Sequence, residues 1–321
     1  MEQPLLTVKD LKVTFETGAG LIKAVDGVSF TVRPGETLGL VGESGCGKSV
    51  TALSLLRLIP SPPGRVMAAE IRWRDREISK LTLPELIKLR GREISIIFQE
   101  PLTSFNPVQK IGAQISEALL IHSGLSKVTV KEQVIAALGR VGLSNPARQF
   151  EAYPHELSGG MRQRAMIAMA LICNPQLLIA DEPTTALDVT IQAQILELLQ
   201  ELQAEKGMSL LMITHNLGIV ASVAQRVAVM YAGKIVEMAG VREIFKQPLH
   251  PYTEGLLRSI PDPAVTGELY AIPGMIPDPW HLPAGCYFEP RCEKALDICK
   301  GQRPELVERE NGHAVACWRH L

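Results

Sequence analysis

Apolar and polar residues alternate along the first part of the chain, with the period of two that half-buried β-strands show. This alternation predicts strands over residues 6–8, 11–15 and 28–32. A largely apolar run at residues 37–41 predicts a buried strand that leads into a glycine-rich loop. We predict a helix over residues 49–58, which a proline-rich stretch would end.

The chain up to about residue 260 mixes further buried strands with helices. Short apolar runs predict strands at residues 94–98, 177–180, 210–214 and 227–231. A helix is predicted at 190–206, and Ile111, Ile115 and Leu119 begin a helical pattern that continues to residue 170. Strands that alternate with helices predict an α/β fold with a mostly parallel sheet, which a helical subdomain at about residues 100–170 interrupts.

The last part of the chain has a different texture, because prolines exclude long helices and central strands there. The prolines are Pro261, Pro263, Pro273, Pro277, Pro279, Pro283 and Pro290. We therefore expect one domain over residues 1–260 and a loop-rich C-terminal extension over 261–321.

Composition narrows the function classes. The 321 residues carry a formal net charge of -1, so no basic excess favours a nucleic-acid partner. Residues 1–10 lack the basic and apolar segments of a secretory signal, and the apolar stretch at 165–173 is shorter than the roughly 20 residues that span a bilayer. We expect the chain to be soluble and to reach a membrane only through partners.

One glycine-rich segment fits the phosphate-loop pattern G-x-x-x-x-G-K-[ST], with a strand before it and a helix after it. Its residues are Gly42, Glu43, Ser44, Gly45, Cys46, Gly47, Lys48 and Ser49. The glycines allow the backbone to curve around phosphate, and the backbone N–H groups and the helix N-terminus then face the anion. Lys48 is expected to reach the β- and γ-phosphates and Ser49 to ligate Mg²⁺, whereas Cys46 is a small filler.

Two acidic residues follow the apolar strand at 177–180, and a buried strand of this kind would place them beside the phosphate loop. Asp181 is expected to hold the Mg²⁺ shell, and Glu182 to polarise the attacking water as general base. Alone, this pair of acidic residues is weak evidence for a nucleotide site, because many strands end in acidic residues. Together with the phosphate loop it becomes strong evidence.

Leu157, Ser158, Gly159 and Gly160 open a predicted helix and resemble the LSGGQ signature of ABC ATPases. A serine and two glycines at this position form a second anion-binding helix N-terminus, although a simple N-cap would also use the serine. Met161 replaces the usual glutamine, which leaves the cap chemistry intact.

The resemblance to ABC ATPases covers roughly residues 5–260. It implies an ABC-type P-loop NTPase fold, with an N-terminal antiparallel β subdomain and an inserted helical subdomain. In this family two nucleotide domains pair head to tail. Each ATP then lies between the phosphate loop of one domain and the signature of the other.

The same resemblance gives roles to four further positions. Gln99 matches the glutamine that touches Mg²⁺ and the water, and residues 186–188 match the D-loop, with Asp188 at the dimer interface. His215 matches the switch histidine that contacts the γ-phosphate. Phe15 stands where an aromatic residue stacks on adenine, although it also fits a strand core.

Two C-terminal features resemble the dipeptide and oligopeptide importer ATPases: residues 250–257, and a tail with Cys286, Cys292, Cys299 and Cys317. Four thiolates could hold a [4Fe–4S] cluster or zinc, or could remain plain or oxidised cysteines. The wide spacing favours the cluster, because zinc sites usually contain closely spaced cysteine pairs.

This subfamily resemblance implies an ATPase that powers peptide uptake from the cytoplasmic face of the cell membrane. Its expected partners are a second, homologous ATPase in a heterodimer, two transmembrane permease subunits and an extracytoplasmic peptide-binding protein. A nickel or other solute importer is the alternative within the subfamily. A non-transport ABC ATPase acting on DNA or ribosomes and a P-loop kinase are the alternatives outside it.

Overall fold

The computed structural model describes residues 3–100, 104–185, 187–260, 270–309 and 312–321. Its residues divide into two compact units. The first unit combines residues 1–80 with 212–321, and the second holds residues 81–211.

The first unit begins with an antiparallel sheet built on a long hairpin. β1 (Leu6–Thr17) pairs with β2 (Gly20–Val32) on one side, and with β4 (Gly64–Met67) and β5 (Glu70–Trp73) on the other. The short β6 (Arg76–Glu77) pairs with β5. The strands predicted at 6–8 and 11–15 are one strand, because a register shift near Asp10 lets the pairing continue.

A second set of strands in this unit carries the glycine-rich loop. β3 (Thr37–Val41) runs parallel to β10 (Arg226–Tyr231), which pairs antiparallel with β11 (Lys234–Gly240). The C-terminal extension adds two short strands beside β11. β13 (Ala314–Val315) pairs with β11, and β12 (Val307–Glu308) pairs with β13. Helices of this unit are Lys48–Leu55, Leu217–Val223, Val241–Lys246, Pro251–Arg258 and Ile298–Gly301.

The second unit places helices around a parallel strand pair, β7 (Ile94–Ile97) and β8 (Leu177–Asp181). Its helices are Leu83–Leu89, Ile111–His122, Lys127–Arg140, Pro146–Glu151, Gly159–Leu171 and Val189–Lys206. The helical pattern predicted for residues 110–170 is therefore confirmed. β9 (Ser209–Thr214) crosses the boundary between the two units.

Aromatic side chains attach the C-terminal extension to the core of the first unit. The ring centroid of Tyr231 on β10 lies 4.6 Å from that of Tyr252 and 5.2 Å from that of Phe288. Tyr252 and Phe288 lie 5.4 Å apart, and all three side chains are buried. Within the described residues no helix has both the length and the apolar character needed to cross a bilayer.

Candidate functional site

The phosphate loop, residues 42–49, connects β3 to the helix Lys48–Leu55. Gly47 has a φ of 103°, and a Cβ atom there would stand 2.3 Å from the carbonyl oxygen of Ala24, so only glycine fits. The Lys48 ammonium donates hydrogen bonds to the carbonyl oxygens of Gly42 (2.8 Å) and Glu43 (3.0 Å). Lys48 is thus a buried cation held against its own loop.

Other loop residues differ in exposure. Ser44 and Gly45 are exposed, Ser49 is half-buried at the start of the helix, and Cys46 is buried. Burial raises the pKa of the Cys46 thiol. The loop therefore presents small, polar atoms at its exposed edge, as a phosphate-binding turn requires.

Glu43 connects the phosphate loop to two residues that the sequence analysis did not assign to the nucleotide site. Its backbone N–H donates to the hydroxyl oxygen of Tyr252 at 2.9 Å. Its carboxylate accepts hydrogen bonds from Arg291, with Nη1 to Oε2 at 2.8 Å and Nη2 to Oε1 at 3.2 Å. Tyr252 lies in the segment at 250–257 that the sequence singled out, whereas no pattern marked Arg291.

In the second unit Asp181 and Glu182 are both buried at the end of β8. Glu182 has a φ of 46°, a left-handed conformation that costs energy in a residue other than glycine and is common at functional sites. Gln99 Nε2 donates to Glu182 Oε2 at 3.1 Å, and Thr185 Oγ1 donates to the same oxygen at 2.8 Å. The structure thus brings together Gln99 and Glu182, which the sequence predicted separately.

The signature serine begins the helix Gly159–Leu171. Ser158 Oγ accepts a hydrogen bond from the backbone N–H of Met161 at 3.3 Å, as an N-cap does. Ser158 and Gly159 are exposed. The buried Gln163 on the same helix donates from Nε2 to the carbonyl oxygen of Pro183, which connects the signature helix to the residue after Glu182.

The D-loop positions lie close to the start of the helix Val189–Lys206. Asp188 is exposed, and its Oδ1 accepts from the backbone N–H of Ile191 at 2.9 Å, so this carboxylate is the N-cap. Ala186 lies outside the described residues. An exposed Asp188 has the placement that an interface residue needs.

His215 and Phe15 belong to the first unit. His215 is exposed directly after β9, and Asn216 next to it caps the helix Leu217–Val223. Phe15 is half-buried on β1, in register with Ile22 on β2 and with Gly64 on β4. Both side chains are therefore accessible from outside the core.

The four C-terminal cysteines line one cavity of about 20 Å³. The backbone N–H of Cys286 donates to the carbonyl oxygen of Cys299 at 2.8 Å, an approach that depends on Gly285, where a Cβ atom would stand 2.0 Å from that oxygen. Burial raises the pKa of Cys286 to about 11. Among the described residues, no three His, Cys, Asp or Glu side chains are placed to share one metal ion.

Two protein-family models match the chain. The ABC transporter family model matches residues 25–185, which is half of the chain. The chain belongs to the ABC transporter family. A second model, described as the oligopeptide/dipeptide transporter C-terminal region, matches residues 236–299.

Similar proteins extend over nearly the whole of this ABC transporter chain. A putative peptide import ATP-binding protein of Brucella ovis is 52% identical and covers 99% of this chain and 97% of its own length. The oligopeptide transport ATP-binding protein AppD of Bacillus subtilis is 51% identical, and the alignment covers 98% of this chain and 96% of AppD. The dipeptide transport ATP-binding protein DppD of the same organism is 48% identical, and the alignment covers 98% of this chain and 95% of DppD.

Solved structures show the same cassette fold. A dimeric ATP-binding cassette, MJ0796, bound to ADP and Pi in a post-hydrolysis state, matches with a TM-score of 0.64 and 26% identity. The match covers 74% of this chain and 99% of that one. The predicted ABC ATPase fold is confirmed, and the chain is an ATPase subunit of this transporter family.

Proposed function

We propose that this chain hydrolyses ATP to drive the import of dipeptides or oligopeptides. The observation that carries the substrate class is similarity over the full length to peptide import ATP-binding proteins, including the C-terminal region at 236–299. The buried Lys48 on its loop and the bonded pair Gln99 and Glu182 supply the groups that such an ATPase needs.

The roles follow from chemistry. Lys48 and the loop N–H groups bind the phosphates, and Glu182 accepts a proton from the attacking water. Gln99 and Thr185 both donate to Glu182 Oε2, which fixes the orientation of the carboxylate. The resemblance to ABC ATPases assigns His215 to the γ-phosphate and Phe15 to the adenine.

Oxygen donors of the predicted metal set fit Mg²⁺, which prefers a serine hydroxyl, a carboxylate and an amide oxygen over nitrogen or sulfur. Ser49, Asp181 and Gln99 would hold the ion. A bound Mg²⁺ would supply positive charge that stabilises the phosphoryl group during its transfer to water.

The nucleotide site is completed by a second subunit in this proposal. Ser158, Gly159 and Asp188 are exposed, and a helix N-terminus capped by an exposed serine can accept the γ-phosphate of the facing ATP. ATP charge then stabilises the closed dimer, and hydrolysis with phosphate release lets it open. The facing subunit is a homologous ATPase in a heterodimer.

Two permease subunits and an extracytoplasmic peptide-binding protein complete the transporter. The chain then lies at the cytoplasmic face of the membrane, and the helical segment at 110–170, with Gln99 at its hinge, is the docking face.

Two substitutions test the ATPase assignment in the assembled transporter. Glu182→Gln keeps the size of the side chain and removes the base, so we expect ATP binding to persist and turnover to fall by about 10²–10⁴-fold. Lys48→Ala should weaken MgATP binding. Near-normal turnover of the first variant, or unchanged affinity of the second, would refute these roles.

We also propose that the four C-terminal cysteines hold a [4Fe–4S] cluster. The four thiols line one cavity, and their wide spacing along the chain favours a cluster over tetrahedral zinc, which usually uses closely spaced cysteine pairs. Such a cluster would be a structural staple. Iron and sulfide analysis of anaerobically purified protein tests this, with Cys173→Ser as the control; iron at the level of a quadruple Cys→Ser variant would exclude the cluster.

A further inference from the structure

Arg291 of the C-terminal extension is buried, and its guanidinium is surrounded by acceptors. Besides the two bonds to Glu43, Nε donates to the carbonyl oxygen of Pro273 at 2.9 Å, and Nη2 to that of Ile272 at 3.4 Å. Nη1 also lies 3.4 Å from the hydroxyl oxygen of Tyr231. The arginine therefore joins the extension, β10 and the phosphate loop.

The ionised state of Arg291 is secure. Burial alone would lower its pKa, but the hydrogen bonds to Glu43 and Tyr231 outweigh burial and hold the pKa above its ordinary value. The bidentate pairing with Glu43 fixes orientation as well as charge, because the planar fork of arginine matches a carboxylate.

Tyr252 holds the same loop residue from its backbone. The hydroxyl oxygen accepts the N–H of Glu43, and the ring is fully buried against Tyr231 and Phe288. The backbone and the carboxylate of Glu43 are thus both fixed by residues outside the phosphate loop.

Glu43 places a negative charge in a loop whose ligand is a polyphosphate. An unpaired carboxylate there would repel ATP, and Arg291 cancels that charge at 2.8 Å. We propose that Arg291 sets the nucleotide affinity indirectly: it neutralises the Glu43 carboxylate within the phosphate loop, so that the C-terminal extension controls the affinity for ATP. This inference rests on the proposed ATPase function.

The test measures MgATP dissociation constants by calorimetry on the full-length chain. Arg291→Gln leaves the Glu43 carboxylate without its arginine partner, and Coulomb repulsion of the ATP phosphates predicts a dissociation constant about tenfold higher at low salt. The effect should shrink as salt rises, because screening weakens repulsion between charges. Adding Glu43→Gln to this variant should restore the affinity to within about twofold of wild type.

Arg303→Gln is the matched control. Arg303 is also an arginine of the extension and bonds Asp26 Oδ2 at 3.2 Å, but its carboxylate partner lies outside the phosphate loop. Its loss should leave the MgATP affinity unchanged.

Glu43→Gln alone keeps the inference testable if Arg291→Gln does not fold. The amide oxygen still accepts from Arg291, while the positive charge of Arg291 is now free to attract phosphate, so MgATP should bind as tightly as in wild type or more tightly. Weaker binding in Glu43→Gln, or no rescue in the double variant, would overturn the inference.

Lys48→Ala separates this inference from the proposed function. If Lys48→Ala loses MgATP binding while a folded Arg291→Gln binds MgATP as wild type does, the inference about Arg291 is wrong and the ATP site stands. Unchanged binding in Lys48→Ala sinks the ATP site itself.

Discussion

Replacing Glu237 on β11 tests how much one buried side chain stabilises the packing of the C-terminal extension. This carboxylate is fully buried, and it accepts backbone N–H bonds from Leu249 at 2.7 Å and from His250 at 3.0 Å. Its Oε1 also lies 2.7 Å from Nε2 of His313, the residue before β13. One side chain therefore links β11 to the segment before helix Pro251–Arg258 and to the extension.

Glu237→Ala would leave the two backbone N–H groups and His313 without this partner. Each buried group that loses its partner costs about 1–3 kcal/mol, so the three together cost about 3–9 kcal/mol of unfolding free energy. A loss of this size lowers the melting temperature by about 10 °C in a protein of this size. Glu237→Gln should lose about half as much, because one oxygen acceptor remains while the amide group faces a donor.

Differential scanning calorimetry of the purified full-length chain at neutral pH measures these shifts. Glu308→Ala is the control, since Glu308 is an exposed carboxylate on β12, a strand of the same sheet. A melting temperature for Glu237→Ala within about 2 °C of wild type would show that the three contacts contribute little net stability.

Two further predictions concern the nucleotide site. Gly47→Ala should raise the MgATP dissociation constant more than tenfold by calorimetry, because the new Cβ atom meets the carbonyl oxygen of Ala24 at 2.3 Å, while Gly301→Ala, where the added atom has open space, should not. Ser158→Asp should keep the melting temperature, since aspartate caps helices as well as serine, but should abolish ATPase activity through repulsion of the γ-phosphate. Full ATPase activity in Ser158→Asp would show that Ser158 is only a helix cap.

Local patterns in the sequence predicted the elements that depend on local chemistry. The helix predicted at 190–206 is observed as Val189–Lys206, because its apolar spacing and the cap at Asp188 are both local. The sequence predicts two strands on either side of Lys9 and Asp10, but a single bulged strand accommodates both residues, since pairing with β2 resumes after the register shift. Tertiary pairing overrode the pattern at that position.

Contacts between distant residues could not be predicted in the same way. The bond between Gln99 and Glu182 joins positions 83 apart, and the pair of Glu43 with Arg291 joins positions 248 apart. Family motifs predicted a role for Gln99 and a role for Glu182 separately, without predicting the hydrogen bond between them. Arg291 belongs to no motif, and only folding of the extension against the phosphate loop reveals it.

The contact among Tyr231, Tyr252 and Phe288 has a practical consequence for anyone who shortens or exchanges the tail of this cassette. Removing the chain from about residue 261 onward would uncover two tyrosine rings that Phe288 now covers, and the trimmed protein would then tend to aggregate. A graft of the tail onto another cassette would need matching aromatic residues at the positions of Tyr231 and Tyr252. Cassette and tail are therefore best treated as a single unit in protein engineering.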